Sequence, residues 1–81
     1  MKDFKIITPG AGLPDVLIHR AIDDDGFDQV VIITFGVVEG VEDTMITEDI
    51  MVENAHTAQL IIKTFDESSA TLWCHHNEID S

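Results

Sequence analysis

The sequence predicts an α+β fold: an antiparallel sheet of four to five strands backed by one main helix. Three observations carry that expectation. Two runs rich in β-branched residues, VLIHRAI (Val16–Ile22) and QVVIITFGVV (Gln29–Val38), flank an Asp-Gly turn. Downstream, Met51, Ala55, Ala58, Ile62 and Phe65 recur at alternate spacings of four and three, which places them on one stripe of a helix. A final apolar run, ATLWCHH, reads as a closing strand.

Taken in order, Phe4 to Thr8 forms a short first strand, and TPGAGLPD, with two prolines and two glycines, forms a loop. The strand Val16–Ile22 follows. DDDGFD is then a hairpin connection, because Asp25 tolerates a left-handed backbone and Gly26 adopts one freely. The strand Gln29–Val38 is apolar on both faces, with Val31, Ile33, Phe35 and Val37 on one and Val30, Ile32 and Val38 on the other. Such a strand is central and covered on both sides, by a helix and by another sheet or a second subunit. Gly36 marks a candidate bulge. Glu39-Gly40 offers a second tight turn, leading into a strand that runs to Met45 or Ile46. The helix is capped either by Thr47, with Glu48 and Asp49 meeting the positive end of its dipole, or by Asn54. The residues DESS end it.

With 81 residues the chain reads as one domain, 1–81, whose core is modest; a second copy would help it bury apolar surface. A hydrophobic content of 44% argues against disorder. No run approaches the ~18 apolar residues of a membrane span, and MKDFKIITPG lacks the apolar core of a signal peptide. The single cysteine, Cys74, makes no intrachain disulfide, so a cytoplasmic location is expected.

Charge is the outlying quantity. Sixteen Asp and Glu stand against four Lys and Arg, a net charge of −12 at pH 7. The bases are Lys2, Lys5, Arg20 and Lys63, and between Arg20 and Lys63 the chain carries only acids: Asp23, Asp24, Asp25, Asp28, Glu39, Glu42, Asp43, Glu48, Asp49 and Glu53. Such a field repels DNA, RNA and anionic membranes and attracts basic proteins. One reading of the segregated acids is a solvated face kept for solubility. The other is a set of carboxylates fixed on turns and element ends, where they meet the Arg and Lys that hold phosphates. The second reading makes the ten acids a partner-binding set.

The motifs that would carry other chemistry are incomplete. With Gly26 as the sixth residue of a calcium loop, Ala21 and Ile32 fall at its first and twelfth positions, where oxygen ligands are required. On a strand, Cys74 and His76 share one face and His75 takes the other, which leaves too few ligands for zinc even with His19 or His56 nearby. Cys74 and His75 on opposite faces make no nucleophile–base pair. PGAGLP has no lysine for a phosphate. The expectation is a non-enzymatic protein with no cofactor and no metal.

One segment carries a family resemblance. PDVLIHRAIDDDGFDQVVIIT (Pro14–Thr34) resembles the central hairpin of the phage-encoded uracil-DNA glycosylase inhibitors, through Asp15, Leu17, His19, Ala21, Asp23, Val30 and Thr34. Those inhibitors are small acidic DNA mimics that plug the enzyme's DNA-binding groove. The resemblance implies that Ile18, Val31 and Ile33 line an apolar pocket for a side chain of the target. It covers about a quarter of the chain and departs from the family before and after the hairpin. In size and charge the chain also looks like anti-CRISPR and anti-restriction proteins. The implied function is inhibition of a host enzyme or CRISPR-type defence complex at its basic nucleic-acid-binding surface, in the host cytoplasm. The alternative is a homodimeric structural or accessory subunit, prompted by the doubly apolar strand. A metal-dependent enzyme using Cys74 and the histidines is the third possibility.

Overall fold

A computed structural model describes residues 3–80. Four strands follow one another in sequence and in space: β1 (Phe4–Ile7), β2 (Val16–Ile22), β3 (Asp28–Val38) and β4 (Val41–Met51), each antiparallel to the next. Two helices follow, α1 (Ala55–Thr64) and α2 (Glu67–His76). A short β5 (Ile79–Asp80) then returns to pair with Val37 and Val38 of β3. The α+β class and the antiparallel sheet are therefore present, with two helices in the backing layer.

Each hairpin is set by local chemistry. At the β2–β3 turn the Asp23 carboxylate accepts from the backbone N–H of Asp25 (3.0 Å) and Phe27 (2.9 Å), while Gly26 takes φ +85°. At the β3–β4 turn Glu39 and Gly40 both have positive φ, the requirement of the two-residue turn whose twist matches that of the strands. An irregularity does occur near Gly36, but the extra residue sits on β4: Val38 faces Val41, whereas Gly36 faces Thr44. Asp43 there has φ +55°, which aspartate tolerates better than most residues.

Two segments differ from the sequence expectation. The helix does not begin at Thr47 or Met51, because β4 continues in register to Met51, opposite Gln29. Asn54 is the cap, its side-chain oxygen accepting from Thr57 N–H at 2.8 Å. Ala58, Ile62 and Phe65 keep their places on the buried stripe. The second correction is ATLWCHH, which is helix rather than strand. Asp66 caps it by accepting from Ser69 N–H (2.9 Å) and Ser69 Oγ (3.0 Å), so DESS starts a helix as well as ending one. Glu67 in the first turn complements the positive end of the helix dipole. Ala70, Trp73 and Cys74, spaced as one helical face, are its buried residues.

The core lies between one face of the sheet and the helices. Val16, Ile18, Val30 and Ile32 meet Ala58, Ile62, Ala70, Trp73 and Cys74 there. Each large aliphatic side chain so buried contributes about 1.5–3 kcal/mol. Thr34, also buried, satisfies its hydroxyl by donating to Asp15 O at 2.6 Å. Among the described residues no helix is long and apolar enough to cross a membrane.

Candidate functional site

Of the residues that sequence reasoning grouped as one acidic surface, seven fall into two groups at opposite ends of the molecule and three stand apart from both. Eleven residues of extended strand, at ~3.3 Å each, put the two turns at either end of β3 about 36 Å apart. That length agrees with the long dimension of the molecule, 37 Å. Asp24 and Asp25 stand exposed at one tip, with Asp23 partly buried because its carboxylate closes the turn. Glu53 joins that end, since the neighbouring Val52 N–H donates to Asp28 O. Glu39, Glu42 and Asp43 are exposed at the other tip. Asp80, which sequence reasoning left out, lines the same shallow hollow as Glu42 and Asp43. Its signal is only visible once β5 is seen to pair with β3.

Three of the ten acids do not join either tip as outward charges. Asp28 is bound by Arg20, whose Nε donates to its Oδ1 at 2.7 Å and whose second guanidinium nitrogen reaches the same oxygen. Glu48 belongs to β4, not to a helix start, and its carboxylate accepts from the Trp73 indole at 3.1 Å. Asp49 is also on β4 but points to the opposite side of the sheet, as strand alternation requires. The expectation of a single patch is thereby replaced by two acidic ends and one isolated carboxylate.

Few cations offset these acids. Arg20 is engaged by Asp28 and lies 3.8 Å from Asp3. Lys5 donates to the carbonyl of Lys63 at 3.2 Å. Lys2 lies outside the described residues. Among the described residues, both ion pairs are those of Arg20.

The second feature is a bare sheet face. Strand register puts Ile6 of β1, Leu17 and His19 of β2, Val31, Ile33 and Phe35 of β3, and Met45, Asp49 and Met51 of β4 on the side away from the helices. Ile6, Phe35 and Met45 are 63%, 60% and 56% exposed, whereas Leu17, His19 and Ile33 are half-buried and Val31 at the centre is 8% exposed. Ile6, Leu17, Ile33 and Phe35 line a shallow groove of about 320 Å³ with Asp15 at its rim. Asp15 is held there by the Thr8 hydroxyl, which donates to it at 2.8 Å. Of the three residues that the inhibitor resemblance puts in one apolar pocket, Val31 and Ile33 share this face. Ile18 does not: it is fully buried beneath the helices.

The cysteine–histidine run is dispersed by the helix. Cys74 is buried, and that burial pushes its thiol up from the ordinary value, while His75 and His76 are exposed. Among the described residues no three His, Cys, Asp or Glu side chains are placed to hold a metal ion. Comparison with protein-family models, curated proteins and solved structures finds no match for this chain.

Proposed function

We propose that this chain is a non-enzymatic inhibitor that occupies the basic nucleic-acid-binding surface of another protein, a host enzyme or a CRISPR-type defence complex. The observation that carries the reading is the exposed acid at both ends of an elongated body with net charge −12, acid that forms no ion pair among the described residues. Asp24, Asp25 and Glu53 carry one end, and Glu39, Glu42, Asp43 and Asp80 the other. Turns and strand ends fix the backbone of these residues, so little main-chain order is lost when arginine or lysine meets them. The span of 37 Å is close to one turn of B-DNA, ~34–36 Å, so the two ends are spaced to meet cations that hold phosphates one turn apart. A field of this sign also speeds encounter with a basic surface and keeps free nucleic acid away.

The test is capture of basic nucleic-acid-binding proteins from host lysate on the immobilised chain, at low and high salt, with and without competing duplex DNA. Capture that is lost in high salt, displaced by DNA and weakened by Asp24→Lys with Asp25→Lys supports the reading. Binding indifferent to salt, to DNA and to those substitutions overturns it.

A further inference from the structure

The bare sheet face is self-complementary, and we propose that it pairs with the same face of a second copy of this chain. The inference does not depend on the inhibitor reading. A monomer seldom leaves four large apolar side chains, Ile6, Phe35, Met45 and Met51, more than half exposed on one face. The molecule's 37 and 24 Å dimensions leave room on this face for the ~800 Å² per partner of a standard interface.

Its few polar groups say what covers it. His19, Val31 and Asp49 form one row across the sheet, because Val31 is paired with His19 on one side and with Asp49 on the other. In two face-to-face sheets related by a twofold axis along β3, Val31 lies over Val31 of the mate. His19 of each copy then lies over Asp49 of the other. The next row obeys the same operation, with Ile33 over Ile33 and Leu17 over Thr47. A twofold axis across the strands would instead stack Asp49 on Asp49 and His19 on His19, so the pairing of an imidazolium with a carboxylate selects the first arrangement. The His19 ring is already oriented: its Nδ1–H donates to Arg20 O at 3.0 Å, because a carbonyl can only accept, so in the imidazolium form Nε2–H is the donor left for the opposing carboxylate. β1 of each copy, carrying Ile6, lies beyond β4 of the other and covers its outer flank, because β1 and β4 are at unequal distances from the axis. The sheets pack in the aligned mode, with strands within about 30° of each other.

This arrangement brings like acidic tips of the two copies to the same end. Their repulsion is screened by salt, so the dimer strengthens as salt rises. Binding to a basic partner weakens under the same change, and the failure of either idea is therefore visible without the other.

Sedimentation velocity of the full chain from micromolar to millimolar concentration, in low and high salt, tests the proposal. A dimer favoured by salt is expected. Ile33→Asp should yield a monomer with unchanged circular dichroism. His19→Asp and Asp49→His, each alone, should weaken the dimer about tenfold or more, and the two together should restore it. Asp49 is exposed, so its substitution tests the contact even if Ile33→Asp fails to fold. A wild-type chain that stays monomeric in high salt at millimolar concentration, or a double exchange that restores nothing, overturns the proposal.

Discussion

Trp73 donates its indole N–H to a carboxylate oxygen of Glu48 at 3.1 Å, and that bond ties the last helix to the edge strand of the sheet. The indole is 8% exposed, so its donor has little access to water as a substitute. Glu48→Ala is expected to destabilise the fold by about 1–2 kcal/mol, and Trp73→Phe by a similar amount through the same bond. A double-mutant cycle in urea should give a coupling near 1 kcal/mol. Additive losses would show that the contact contributes nothing.

Asp66 makes the stability of α2 depend on pH. The two bonds it accepts from Ser69, to the backbone N–H first and the hydroxyl second, hold its carboxyl below the usual carboxylate value. A depressed folded-state value means that the ionised form is the stabilising one. The contribution is present above the unfolded value and is lost as pH falls through the folded one. Asp66→Ala should therefore be less stable than wild type at neutral pH, and the gap should close below that lower value. Asp66→Asn, which still caps, should show no such dependence. Urea melts from pH 7 down to pH 2 read both; a gap that persists undiminished in acid refutes the assignment.

Gly36 is required by a close approach of two other segments. A Cβ at this position would stand 2.7 Å from Ile79 Cγ2 and 3.1 Å from Pro14 Cγ. Gly36→Ala should cost about 1–3 kcal/mol through overpacking. In an Ile79→Ala background the same change should cost clearly less, because the nearer obstacle is gone. Equal costs in both backgrounds, measured by thermal or urea unfolding, would place the clash elsewhere.

Cys74 should be inert in the native protein. Its side chain is buried in the core and burial favours the protonated thiol, whereas the thiolate is the reactive form. Labelling with a thiol reagent is expected to be slow in buffer and to accelerate across the unfolding transition. Rapid stoichiometric labelling without denaturant would contradict the packing of α2.

The β2–β3 hairpin was legible because two kinds of signal agreed there, β-branched residues on both strands and Asp25-Gly26 between them. The closing helix was not. Leu72, Trp73 and Cys74 make an apolar run too short for periodicity to separate strand from helix. The usable signal lies upstream in DESS, where Asp66 is three residues before Ser69 and can cap a new helix as well as end the old one. Met51 fell on the helical stripe by coincidence, since Val52, Glu53 and Asn54 separate it from α1. The acids show a different limit. Their exposure at the turns followed from turn chemistry, but their grouping depended on how far β3 carries one turn from the other. That Asp28 meets Arg20 and Glu48 meets Trp73 required the register of the strands and the position of α2, which no local pattern contains. The bare face was half visible, in that β3 reads as apolar on both sides; what leaves one side uncovered is that both helices pack on the other.

The order of the strands has a bearing on how the chain is made. Each of β2, β3 and β4 pairs with its immediate predecessor, so a growing chain can close each hairpin soon after it leaves the ribosome. The helices that shelter Val16, Ile18, Val30 and Ile32 come only in the last third of the sequence. During synthesis the nascent sheet therefore presents oily surface on both sides at once, and its many carboxylates keep neighbouring nascent chains apart until α1 and α2 arrive.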